Sequence, residues 1–378
     1  MMRAMDKEAG FLALTDGLVS AMLEDSPDVQ FVLIFKSARW LHRFAEFANA
    51  KAVLKPSHSN FIWDQVAVPM VAWRERADVI INPKFFVPFL SPCPVTMGVQ
   101  EPSWFTRPDE YARLDRWYQR FMIPRSIRRC AHVFPNSRFI LEENRRVLGM
   151  AIEHATVQYS AADPRFRPAA DSGPVEAFRA KFGLPQRFVL VLSRVLHPDM
   201  HTKEFFPGKS PEVAYRAFLR IRDQIPHDLV LVGRRIRDYL LQTEGPQADF
   251  KRVRFVEFVP FEELHLLYNA AEIFVNPCAY EGCPNTVLQA MACGCPMVVI
   301  GAGGSADVAA GGALLARPGD DVDMAEKIRT FACDLEQRHR FGALSLERSR
   351  EFTWARTAAA TMGALRAVVA KPAGAAGR

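Results

Sequence analysis

The chain has no run of apolar residues approaching the roughly 20 that cross a bilayer as a helix, and its first 25 residues lack a secretory signal pattern. Cysteine is scarce and shows no pairing: seven residues, at 93, 130, 278, 283, 293, 295 and 333, lie mostly in apolar or small-residue settings. An odd number in such settings predicts reduced, buried thiols rather than a disulfide framework. Cys293-Gly294-Cys295 straddles a predicted helix end without a second pair of ligands, so no metal is expected there. There are no internal repeats, and no low-complexity block apart from the tail 371–378, for which disorder is predicted. Aromatic and basic residues are not interleaved in the manner of a nucleic-acid module, so nucleic acid is not an expected partner. These absences predict a cytoplasmic protein, its membrane contact limited to a peripheral one at the inner face.

What is present fits two domains. A chain of 378 residues exceeds one ordinary core, and 49% apolar with 24% charged residues is a globular composition. The formal net charge of +6 favours anionic partners, phosphorylated small molecules and anionic membrane surfaces among them.

The most organised stretch is 272–300. Ile273-Phe274-Val275 reads as a buried strand that stops at Asn276-Pro277, before a loop with Tyr280-Glu281-Gly282 and Pro284. A helix is predicted from Asn285, whose side chain is placed to cap it, to Cys293, with Gly294 ending it. Met297 to Ile300 is the next strand. In such parallel α/β units, ligands bind at the carboxyl ends of strands. Upstream, the strand Phe188 to Leu192 ends in Ser193-Arg194, and Gly208-Lys209-Ser210-Pro211 opens a helix. Arg194 and Lys209 are therefore expected in the same cleft as Glu281. His197, Asp199, His201 and Glu204 lie in the long loop between them; without a helical frame they read as a solvated lid, not as metal ligands.

Tyr280-Glu281-Gly282-x-Pro284-Asn285 followed by Ala290-Met291-Ala292-Cys293-Gly294-x-Pro296 resembles the signature of the family 4 retaining glycosyltransferases, specifically over about 188–365. The resemblance continues in Gly303-Gly304, Ala313-Leu314-Leu315 and Phe352-Thr353-Trp354, and reaches thinly upstream to Asp163-Pro164-Arg165-Phe166. It implies an α/β chain of GT-B fold, two Rossmann-like domains facing a central cleft, with the C-terminal helix crossing back to the first. It also implies a hexosyltransferase that moves a sugar from a nucleotide-diphosphate sugar to an acceptor hydroxyl in polysaccharide or other glycoconjugate synthesis. The acceptor class stays open: a glycan, a lipid-linked or a small-molecule acceptor. Arg194 and Lys209 would grip the diphosphate and Glu281 would touch the sugar hydroxyls, with Gly233, Gly282, Pro284, Asn285 and Thr286 also on the donor side. The ribose position, glutamate in the family, is Gln289 here, which removes one charge-assisted hydrogen bond. No metal and no cofactor beyond the sugar donor is expected, because two cations already face the leaving diphosphate.

The predicted domains are 1–168, for the acceptor, and 169–355, for the donor, followed by a crossover helix 356–370. The hinge is expected in the Pro-, Ala- and Asp-rich run Pro164 to Pro174. The first domain begins with an amphipathic helix, Gly10 to Leu23, and a strand, Gln30 to Phe35, where the family would begin with a strand before a glycine loop. The expectation is a start assigned too late, with Gly10 the remnant of the acceptor-facing loop. Helices are predicted over Trp40 to Ala48 and Asp64 to Arg74. A strand from Cys93 to Met97 precedes a loop from Gly98, where the family's His-Asp pair is replaced by Gly98-Val99 and Gln100 and Glu101 are the acceptor-side candidates. The segment 111–130 is a basic, aromatic helix whose arginines either extend from a packed apolar side or form a patch for an anionic membrane. Two alternatives retain the fold: a weak or inactive nucleotide- or sugar-binding relative, and a nucleotide-sugar epimerase.

Overall fold

The computed structural model describes residues 1–2, 5, 10–83, 85–106, 108, 113–195 and 209–371. The four acid and histidine residues of the expected lid and most of the expected tail lie outside them. The chain forms two compact units, Met1–Ala161 with Thr353–Arg378, and Ala162–Phe352.

In the first unit, β1 (Phe31–Phe35) pairs in parallel with β2 (Ala50–Leu54), while β3 (Ile80–Asn82), β4 (Val95–Val99) and β5 (His132–Pro135) form a second parallel sheet. The C-terminal helix Trp354–Ala370 belongs to this unit, where Met362 and Leu365 share a core with Leu18 and Met22 of the helix Gly10–Asp25. It is pinned by Thr357 Oγ1 donating to the Tyr159 carbonyl and by Gln158 Nε2 donating to Thr361 Oγ1, both at 2.9 Å. Gly17 lies against the Trp354 ring so closely that an added methyl would overlap it.

In the second unit, six parallel strands stand in the order β11-β10-β9-β6-β7-β8. They are β6 (Phe188–Leu192), β7 (Asp228–Val232), β8 (Val253–Val256), β9 (Ile273–Asn276), β10 (Met297–Ile300) and β11 (Leu314–Ala316). The central strands are apolar throughout because helices cover both faces: every residue of β9 and β10 is buried. The chain runs outward from β6 to β8, then returns to β9 beside β6 and runs outward the other way. That reversal is the place where doubly wound sheets open a crevice for ligands.

Four expectations change. The run Pro164 to Pro174 is not a free hinge: Phe166 is 4% exposed, against the rings of Phe261 and Tyr268, and Asn269 bonds Ala169 N–H and the Arg167 carbonyl. The unit boundary therefore falls at 161/162. Trp40 to Ala48 is not a helix but a 3-10 turn, Ala38–Trp40, followed by turns. Gly98 and Val99 lie inside β4 rather than in a loop, because only glycine lets that strand pass the Pro83 carbonyl. Gly10 is the first residue of its helix, not part of a loop.

The amino end of the second sheet is closed by charge. Glu272 accepts from Arg187 Nε at 3.2 Å and from Arg338 Nη1 at 2.5 Å, and the buried His227 ring meets it at 2.6 Å. Burial alone would raise the Glu272 carboxyl, but the His227 and Arg187 hydrogen bonds and the Arg338 charge hold it below the usual range. A depressed carboxyl contributes stability that is complete above its unfolded value and is lost as pH falls through the folded one. Glu272→Gln is thus expected to cost about 2 kcal/mol at pH 7, with the gap to the parent narrowing as pH falls below about 4; thermal melts of both proteins across pH measure it.

Candidate active site

β6 and β9 are neighbours at the reversal, and the segments that leave their carboxyl ends carry the site. Lys209 Nζ is hydrogen-bonded to Glu281 Oε1, joining residues 72 positions apart in the chain. Both side chains are partly buried, at 27% and 21% exposure, so the pair is screened less than one at the surface. Ser193 Oγ donates to the Lys209 carbonyl at 3.4 Å, which ties the start of the following helix to the end of β6. Arg194, next in the chain, is solvent-exposed at this strand end.

Glycines hold these backbones together. Gly233, at φ +145°, follows β7 so close to the Ser193 carbonyl that no side chain fits. Gly304 N–H donates to the Glu281 carbonyl at 2.8 Å, and an added methyl there would overlap the Gly282 carbonyl. The run Gly301 to Ser305, read in the sequence as a phosphate turn, instead supports the loop that presents Glu281. Asn276 Oδ1 accepts from Cys278 N–H at 2.9 Å, turning the chain sharply out of β9. Burial pushes the Cys278 thiol up, and it remains protonated as a donor facing Glu281.

The helix Asn285–Ala292 begins after Pro284, which sits in the capping position without a side-chain cap. The expected Asn285 cap is therefore not formed, and no side chain takes the first-turn amides, which stand at the positive end of the helix dipole. Thr286 is in that first turn, and Gly294, at φ +68°, follows the C-cap Cys293 as expected. Gln289 faces Tyr268, whose hydroxyl donates to Gln289 Oε1 at 3.1 Å. Burial raises the Tyr268 hydroxyl well above its ordinary value, so it stays a donor.

Two residues were missed by sequence reasoning. Tyr268 orients Gln289, and its only signal was an aromatic in an otherwise apolar helix. Phe258 is 59% exposed just beyond β8, with the Arg234 guanidinium 5.6 Å from its ring centre. β8 was expected to reach Val259 but stops at Val256, and that early end leaves Phe258 outside the sheet. On the other unit, Gln100 is 6% exposed and its carbonyl accepts from Asn144 Nδ2 at 2.9 Å, while Glu101 is half-buried. All seven cysteines are free, and no cluster of metal-binding side chains occurs among the described residues.

Residues 202–334 match the family described as glycosyl transferases group 1. A D-inositol 3-phosphate glycosyltransferase of Stackebrandtia nassauensis is 30% identical over 230 residues, 56% of this chain and 48% of that protein. The chain spans less than half the length of the curated relatives it matches. A glycosyltransferase from Rickettsia africae superposes with TM-score 0.71 at 10% identity, covering 94% of each chain. Anabaena HepE in complex with UDP gives 0.67 at 15% identity, over 93% of this chain and 96% of that one. At such identities the likeness establishes the fold, which is GT-B.

Gly304→Ala is expected to destabilise the chain by about 1–3 kcal/mol through backbone overlap. Gly363→Ala, in an open position of the C-terminal helix, is expected to stabilise by about 0.5–1 kcal/mol. Denaturant melts distinguish the two.

Proposed function

We propose that this chain, a GT-B protein whose second unit carries a match to glycosyl transferases group 1, moves a sugar from a nucleotide-diphosphate donor to an acceptor hydroxyl with retention of configuration. The observation that carries this reading is the Lys209–Glu281 pair at the sheet reversal, where a cation and a carboxylate face one crevice. In this reading the bond from the anomeric carbon to the β-phosphate oxygen breaks and the acceptor oxygen bonds to the same face of that carbon. The acceptor's proton passes to the departing phosphate. Lys209 and Arg194 oppose the negative charge that develops on the diphosphate, and the uncapped amides at Asn285 and Thr286 add a partial positive charge. Glu281 orients the sugar by accepting from its hydroxyls, Gln289 touches the ribose, and Phe258 offers a face for the base. With two cations on the leaving group, the chemistry needs no metal. The acceptor falls to the first unit, with Gln100 and Glu101 as its candidate contacts, and a glycan, lipid-linked or small-molecule acceptor in glycoconjugate synthesis fits.

A specific observation favours membrane contact. On the helix Arg113–Arg129, Leu114, Trp117 and Phe121 are 84%, 66% and 41% exposed and share one face. The alternative of a packed apolar side therefore does not describe these residues. Trp117 stacks on Phe121 at 5.5 Å, and the Arg125 guanidinium lies 3.3 Å from the Phe121 ring centre. Aromatics beside arginines suit an anionic bilayer surface, and no described helix is long and apolar enough to cross a membrane.

A thermal-shift screen of UDP, GDP and ADP with their sugars is expected to find one stabilising nucleotide. Lys209→Ala and Arg194→Ala should each weaken binding by about 10-fold or more, and Gln289→Glu should strengthen it by about 5- to 30-fold. No stabilisation by any nucleotide would overturn the reading, and binding without transfer or hydrolysis would leave a binding protein. Sedimentation with anionic vesicles should pull down the parent chain and lose the double variant Trp117→Ala, Phe121→Ala, with neutral vesicles binding neither.

A further inference from the structure

The two sheets of the first unit stop short of one another, and a cavity of about 580 Å³ separates β1 from β3. Its walls are Phe31, Val32, Leu33 and Ile34 on one side and Val79, Ile80 and Ile81 on the other, with Leu18, Met22, Met362 and Leu365 from the helices above. The strand walls are sheet edges. Phe31 N–H bonds the Asn49 carbonyl and the Phe35 carbonyl accepts from Lys55, so the odd-numbered residues of β1 face β2. By the alternation of a strand, Val32 and Ile34 turn their N–H and C=O groups to the cavity. Ile80 N–H bonds the Pro94 carbonyl, so Val79 and Ile81 likewise face the cavity from β3.

Met1 and Met2 show how wide the gap is. The Met1 amine donates to the Ile81 carbonyl at 2.8 Å, and Met2 N–H donates to the Ile34 carbonyl at 2.9 Å. Two consecutive residues thus bond opposite edges, as successive residues of a central strand do, and the gap is one strand wide. Both contacts lie at the carboxyl ends of β1 and β3, so a parallel strand ending at Met2 would lie along the cavity. Two residues further back, its N–H groups would meet the Val32 and Val79 carbonyls and its C=O groups the Ile34 and Ile81 amides.

We propose that this cavity is a docking slot for one apolar β-strand, parallel to β1 and β3 and joined to the amino end of Met1. With it the strands read β2, β1, slot, β3, β4, β5, a single sheet whose order reverses beside the slot as in other doubly wound domains. The helix Gly10–Asp25 becomes the crossover from the slot strand to β1. Apolar side chains on both faces are required, because helices and core line the slot above and below. A peptide N–H also suits the Met1 position better than an amine, since burial lowers that amine to about 5 and leaves it uncharged at neutral pH.

The test extends the full chain before Met1 by eight residues rich in Val and Ile, beside a control extension with proline at alternate positions. Backbone amide exchange at Ile34 and Ile81 and the melting temperature are read for both, and for the unextended chain. The expected result is at least 100-fold slower exchange at both amides and a melting temperature several degrees higher for the Val/Ile extension alone. Equal effects from the proline control, or amides already protected in the unextended chain, would overturn the proposal. So would the same protection from the free peptide added in trans, which would assign the slot to a separate partner, or a fatty-acid probe that binds without being displaced by the extension. None of these readouts involves nucleotide binding, so they stand or fall apart from the proposed activity.

Discussion

The second unit is built so that two segments far apart in sequence leave the sheet side by side. β6 and β9 are hydrogen-bonded neighbours because the chain winds outward in one direction and then in the other. Only at that reversal do the following connections diverge to opposite faces and leave an open crevice. The Lys209–Glu281 pair bridges this crevice. Its charges are partly withdrawn from water, so each costs desolvation that the other offsets. An anionic ligand entering there meets a cation already held in place, with little side-chain entropy left to lose.

Around that pair, structural support is mostly backbone. Gly233 against Ser193, and Gly304 against Gly282, bring main chains closer than any Cβ permits. The glycine run at 301–304 shows why a motif read in isolation misleads. A glycine-rich turn at a helix start can hold phosphate, but here one of its amides is taken by the Glu281 carbonyl. It serves the carboxylate loop, and the helix amides left without a side-chain cap are those after Pro284. At the other end of the sheet, Glu272 gathers His227, Arg187 and Arg338. Charge therefore marks both ends of an otherwise apolar layer: at the amino end it fastens the strands, and at the carboxyl end it is available to a ligand.

The first unit carries a different signature. Its two part-sheets, its apolar cavity and its exposed Trp117–Phe121 stack describe surfaces that are apolar without being closed by the described residues. The helix Trp354–Ala370, last in the chain, completes the core of this unit by covering the helix Gly10–Asp25. The unit therefore depends on both ends of the polypeptide, which explains why its boundaries could not be drawn as one continuous range.

Much of this was legible without coordinates. The apolar runs at 188–192, 229–232, 273–275 and 297–300 announced buried parallel strands, because a strand covered on both faces has no polar alternation to disguise it. Glu281, Gly282 and Pro284 could be placed after β9 because Asn276-Pro277 ends a strand and Gly294 ends a helix. Other features were settled by contacts between distant residues. Phe166 turned an expected hinge into packed structure, Tyr268 took hold of Gln289, and Pro83 required glycine at position 98. Local sequence encodes backbone preference and burial, which are properties of a residue and its near neighbours. Which carboxylate meets which ammonium across 72 residues depends on strand order, and strand order is a property of the folded chain alone.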